Sequence, residues 1–234
     1  MNSYESHRAR LIVTADDFGI SPRANRNTLY LISLGKINRV AIMAHGVITP
    51  KEIEELNRSG VKLDIHLDIL HELDQDRKNR QSAFKRGIEF LGKLLTGEVS
   101  SKKVERDWRS QIEMFKKIFG RSPDGINSHE HVHFFPPFFK IALKLEKEYD
   151  IPYIRFGSSM SLRHHLSVSH ILHYLRRFDQ KACNQAACVS SGALVSLDWL
   201  TNVDYFLDNL PEGTIEIACH PELAEDFVKI KKYF

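Results

Sequence analysis

The adjacent carboxylates Asp16-Asp17 and the alternating histidines of Ser128-His129-Glu130-His131-Val132-His133 are the residues whose types and spacing could do chemistry. Neutral imidazole is a common ligand for divalent ions. Neighbouring aspartates can divide labour, one on a metal and the other free as a general base. Not all three histidines need be ligands, because the others can orient ligands or contact a substrate. Together they point to a metal-dependent hydrolase. The structural alternatives are a solvated or helix-capping Asp-Asp pair and a surface histidine cluster without function.

Such groups must be carried to one place by the fold, and the pattern of elements supplies a way. Short apolar runs at 11–15, 40–44, 61–67, 125–129, 153–156, 189–197 and 214–219 read as strands. Amphipathic segments alternate with them. Ser21-Pro22 forms a helix start closed by Gly35, and further helices are predicted at 50–59, 101–119, 137–149 and 198–210. The basic, histidine-rich stretch 157–184 is read as a helix with its flanks, and its histidines 164, 165, 170 and 173 as a solvated face. Repeated β-then-α order implies parallel strands with right-handed crossovers. About seven such units in a single domain spanning residues 1–234 favour an α/β fold of the TIM-like (β/α)-barrel type, whose chemistry sits at the C-terminal ends of the strands.

Four of the predicted strands finish in ionisable residues, namely Asp16-Asp17, His66, His129 and His220. Parallel strands would gather all four on one rim. Alternation places Asp64, His66 and Asp68 on one face of their strand, and Glu216, Ala218 and His220 on one face of the last. A charged Glu216 in an apolar strand needs a partner, and Arg155 is the candidate. Phe134, Phe135, Phe138 and Phe139 fit either an apolar wall for a sugar ring or buried core.

Composition narrows the classes. With 42% hydrophobic and 27% charged residues among 234, a core can form without disulfides or structural metal. Three cysteines without paired spacing argue against a disulfide framework. No apolar stretch approaches the ~20 residues of a membrane span, and the first residues lack the apolar region of a signal peptide. A reducing, cytoplasmic location is therefore expected. The net charge of +3 comes from basic residues interleaved with acidic ones, which excludes a nucleic-acid stripe.

The ordered set Thr14-Ala15-Asp16-Asp17-Phe18-Gly19, Ile65-His66-Leu67, Ser128-His129-Glu130-His131-Val132-His133 and Cys219-His220-Pro221 resembles YdjC-like carbohydrate deacetylases, from about residue 10 to 221. That family is similar to polysaccharide deacetylases in its distorted (β/α) barrel and Asp-His-His metal site. The resemblance implies Asp17, His66 and His129 as ligands, Asp16 as general base and His220 as general acid ahead of His133. His131, His133 and Arg155 would bind substrate. It further implies removal of an N-acetyl group from an amino sugar or short oligosaccharide, with Mg²⁺ as the ion, although two imidazoles and a carboxylate would equally suit Zn²⁺. A small carbohydrate is the expected partner, and a homodimer stays open. This chain departs from the family where Asp68 follows His66-Leu67 in place of the usual Asn, and where Asn127 precedes Ser128 in place of Asp. The competing readings are another metal-dependent amidohydrolase or phosphoesterase, and a non-catalytic ligand-binding barrel.

Overall fold

The computed structural model describes residues 8–69, 100–159 and 168–234. Seven parallel strands form one sheet among them: β1 Leu11–Phe18, β2 Arg39–Ile42, β3 Lys62–Leu67, β4 Gly125–Ser128, β5 Ser158–Ser159, β6 Ala193–Ser196 and β7 Ile215–Cys219. Their order is β4-β3-β2-β1-β7-β6-β5. The first strand is thus central, flanked by β2 on one edge and β7 on the other. The helices are α1 Pro22–Ser33, α2 Pro50–Ser59, α3 Ser101–Phe119, α4 Pro136–Glu148, α5 Val168–Ala186, α6 Val203–Asp208 and α7 Ala224–Tyr233. No helix of the described residues is long and apolar enough to cross a membrane.

Local chemistry fixes where these helices begin and end. Ser21 caps α1 by accepting from the Ala24 N–H, with Pro22 at the first helical position. Thr49 and Glu52 form a reciprocal capping box on α2, and Gly60 ends that helix in the left-handed region. Ser100 and Gly120 bracket α3 in the same way. Apolar alternates of the strands, such as Val13, Ile65 and Ile217, join helix residues including Trp108, Phe115 and Phe139 in a continuous core. Phe134, Phe138 and Phe139 are fully buried there, so they are core and not a sugar wall.

The other alternates meet inside the curled sheet as a polar seam. Arg39 clamps Asp64 through Nε and Nη2 at 2.8 and 2.5 Å. A Cβ on Gly125 would lie 2.5 Å from atoms of both, so glycine is required where β4 passes this pair. Further along, Glu216 accepts from Thr14 Oγ1, Tyr153 OH and Arg155 Nε at 2.9, 2.6 and 2.8 Å.

Three expectations need correction. The fifth strand is not at 153–156: only Ile154 bridges, to Ile126 of β4, and the two-residue β5 follows at Ser158–Ser159. The chain divides its bonds here. Arg155 donates to Ile126 on one side, while Ile154 donates to Val189 and Phe156 and Gly157 to Ser190 Oγ on the other. The segment therefore links β4 to the chain entering β6 without a regular ladder. The helix expected at 198–210 is interrupted, with a 3₁₀ turn at Leu197–Trp199 and α6 starting only after the Asn202 cap. Finally, Cys183 and Cys188 form a disulfide, because the chain turns at Ala187 (φ 52°) just past α5 and returns Cys188 to Cys183. Cys219 is free and buried. Histidines 164 and 165 lie outside the described residues, and nothing is described of the side chains of His170 and His173.

Candidate metal centre

Asp16 and Asp17 come to the same rim because β1 does not run straight. Its register with β2 shifts between Ala15 and Phe18, and Asp17 takes a left-handed conformation with φ 63°. Asp is among the few side chains that tolerate this region. The bulge aims both carboxylates at the site, where a regular strand would point them to opposite faces.

Asp17, His66 and His129 converge. Asp17 Oδ1 lies 3.1 Å from His66 Nε2 and 2.8 Å from His129 Nδ1. Their ligand atoms all fall within 4.8 Å of one another, a spacing that could hold a metal ion. Asn127 Oδ1 accepts from His66 Nδ1 at 2.5 Å, which leaves the Nε2 lone pair facing the cluster. Burial would push His129 down, but the Asp17 carboxylate outweighs it and raises the imidazole to about 9. Burial likewise opposes ionisation of Asp17, yet the two histidines hold it well below the ordinary carboxylate range. Two nitrogens and one anionic oxygen, with one tautomer pinned from behind, fit a divalent cation.

Asp16 is held separately. Arg155 grips it with Nη1 and Nη2, each at 2.7 Å, while its Nε engages Glu216. Burial opposes the Asp16 charge, but Arg155 prevails and lowers its pKa to about 2. Arg155 is fully buried and its donors face these carboxylates, so it positions Asp16 and does not bind substrate as expected. His133 is also corrected. It is 1% exposed, its Nε2 donates to the Arg155 carbonyl at 2.9 Å, and its Nδ1 meets Ser128 Oγ at 2.5 Å. Burial holds it down to about 3, so it is a neutral structural residue with neither nitrogen left for a substrate or for proton donation.

His131 differs from its neighbours. Successive left-handed residues, Glu130 (φ 51°) and His131 (φ 56°), kink the turn so that the three histidines do not share a face. The His131 ring stacks on Phe134 and meets Trp199 edge-on at 6.2 Å, with Nδ1 buried and unpartnered. Burial pushes its pKa well below the ordinary value.

His220 follows β7, on the flank of β1 opposite β2. Its N–H donates to Asp226 Oδ2 at 2.8 Å, and its ring Nδ1 lies 3.6 Å from the same oxygen, an ion-pair distance longer than a hydrogen bond. Burial would lower the imidazole, but Asp226 and the Asp16–Asp17 pair raise it to about 10. Asp226, Trp199 and Tyr153 were not singled out as site residues from the sequence. No spacing marks Asp226, six positions past His220 in a different element.

The chain matches the family described as YdjC-like protein over residues 10–232. A carbohydrate deacetylase of Mus musculus is 27% identical over 156 residues, which make up 63% of this chain and 50% of that protein. The chain thus spans about half the length of this relative. A chitooligosaccharide deacetylase of Klebsiella pneumoniae (strain 342) is 24% identical over 232 residues, 95% of this chain and 85% of that one. Among solved structures, a protein of Enterococcus faecalis V583 has TM-score 0.63 at 22% identity, covering 94% of this chain and 83% of its own. A peptidoglycan N-acetylglucosamine deacetylase has TM-score 0.52 at 12% identity, covering 96% and 79%. These structural likenesses concern the fold.

Proposed function

The chain belongs to the YdjC-like protein family, and from that premise and the geometry of its site we propose that it is a metal-dependent hydrolase removing N-acetyl groups from amino sugars or short N-acetylated oligosaccharides. The observation that carries this reading is the meeting of three features on one rim: the Asp17-His66-His129 cluster, the Asp16 carboxylate clamped by Arg155 and the His220 imidazole backed by Asp226. A divalent ion held by Asp17, His66 and His129 would supply Lewis acidity and a more acidic water.

The chain's own residues do the rest. Asp16 stays ionised at working pH and keeps its oxygens oriented by the Arg155 fork, so it accepts the proton of the attacking water. Held near 10, His220 carries a proton at neutral pH and delivers it to the departing amine nitrogen. Asp226 fixes the backbone at His220 and balances its charge. His131, beside Trp199, offers its unpartnered Nδ1 to the substrate.

The test is acetate release from N-acetylated mono- and disaccharides, with metals added singly after chelation. Acetate should appear only with metal. Asp16→Asn should abolish turnover while sparing metal binding, and His129→Ala should lose both. Full turnover by chelated protein would refute the mechanism.

A further inference from the structure

Burying Glu216 beside Asp16 is costly, and stability alone does not call for it. Arg155 faces both carboxylates, so one guanidinium is shared between two anions. Glu216 is fully buried, and a well-packed apolar residue is commonly no less stable in such a place. Proteins break packing rules of this kind chiefly at functional sites. What surrounds Glu216 shows what it serves.

Glu216 lies in mid-strand, in register with Ile12 of β1 on one side and Leu194 of β6 on the other. Neutral donors fix its carboxylate. Oε1 accepts from Thr14 Oγ1 at 2.9 Å, and Oε2 accepts from Tyr153 OH at 2.6 Å. Tyr153 is held in its turn: its OH accepts from the Ser191 N–H at 3.3 Å, and the Arg39 guanidinium lies 4.2 Å over its ring. Burial and the Glu216 carboxylate push the phenol up, so it keeps the proton it donates. Glu216 is thereby a fixed point in the middle of the sheet.

That fixed point sets the orientation of Arg155. The fork on Asp16 alone would leave the two side chains free to swing as a unit. The Nε bond to Glu216 at 2.8 Å holds a second edge of the planar guanidinium, so Nη1 and Nη2 meet Asp16 from one direction. Rates are steep in such alignment, and ~1 Å of misplacement can cost about 100-fold. We propose that Glu216, with Thr14 and Tyr153 behind it, is a positioning residue for the Asp16 base, acting through the Arg155 guanidinium. The inference rests on the deacetylase reading and adds to it the residues that aim its base.

Tyr153→Phe and Thr14→Val each remove one hydrogen bond to Glu216 and nearly conserve volume. The experiment measures kcat and KM of the zinc-loaded variants on a neutral N-acetylglucosamine disaccharide and on p-nitrophenyl acetate, with zinc affinity from calorimetry. In each variant kcat should fall about tenfold on both substrates, while KM and zinc Kd stay within twofold of wild type. A kcat within twofold of wild type in either variant overturns the positioning role. So does a loss of kcat matched by an equal loss of zinc affinity, which would mark a general loosening of the site. Acetate from the ester but from no sugar overturns the deacetylase reading, and the ester comparison then decides the positioning role by itself. Acetate from neither substrate overturns both.

Discussion

Replacing Arg155 with Gln tests the buried seam most directly. One guanidinium serves two carboxylates, Asp16 at 3% exposure and Glu216 at 0%, through three hydrogen bonds of 2.7 to 2.8 Å. Removing one partner of a buried ion pair costs roughly 3–5 kcal/mol because the remaining charge is stranded. A chain of this size loses about 2–4 °C of Tm per kcal/mol, so the variant should melt about 6 to 20 °C lower near neutral pH. The pH dependence separates charge from packing. In the wild type the Asp16 pKa is depressed from 3.8 to about 2, so its stabilisation is full above the ordinary value and is lost as pH falls through that window. Without Arg155, burial raises the folded-state pKa of Asp16. Stability should then be greatest at low pH and fall as pH rises through the new value. Melting of metal-free protein from pH 5 to 8 checks this, with Arg155→Met as a second variant. A loss of the same size at both pH values would mean that the guanidinium matters only as volume, and the electrostatic argument would fail.

Three further outcomes follow from the same geometry. Asn127→Leu removes the oxygen that fixes the His66 tautomer, and metal affinity by titration calorimetry should weaken about 10- to 100-fold, with Asn127→Asp retaining binding. Asp226→Asn withdraws the charge that raises His220. The alkaline limb of the rate–pH profile, set by loss of the His220 proton, should move to lower pH, and an unmoved limb would exclude His220 as the donor. Asp179 is buried with Oδ2 unpartnered, and burial raises its pKa to about 7. A raised carboxyl stabilises below its ordinary value and loses that contribution as pH climbs towards 7. Asp179→Asn should therefore raise Tm more at pH 8 than at pH 5.

The legible part of this protein is what depends on local rules. Ser21-Pro22 marks the start of α1, and the helices expected at 50–59 and 101–119 match α2 and α3, because their ends are set by hydrogen bonds made within four residues or by glycine geometry. Strand ends such as His66 and His220 could be placed on one rim because parallel strands have only one C-terminal edge. The Glu216–Arg155 pair was readable because an unpaired buried charge is too costly to leave alone. What escaped depends on tertiary bonds between distant residues. Nothing in Tyr153-Ile154-Arg155-Phe156 says that its N–H groups will be shared among Ile126, Val189 and Ser190, so a strand was expected where the chain only bridges. The Cys183–Cys188 bond needs the turn at Ala187, which no spacing rule announces.

The site carries the same division. The family resemblance named the candidate ligands, and three backbone conformations decide which way the side chains face: φ 63° at Asp17, 51° at Glu130 and 56° at His131. A sequence of alternating histidines suggests three equivalent groups. The kinked turn instead sends His129 to Asp17, His133 to the Arg155 carbonyl and His131 towards Trp199. Two of the three departures fall on Asp17 and His131, whose residue types tolerate the left-handed region better than most side chains. The residues suited to chemistry are here also the residues able to take the bends that assemble it. A β-branched residue at position 17 would remove a carboxylate from the candidate metal cluster and, independently, resist the bulge that brings Asp16 to Arg155.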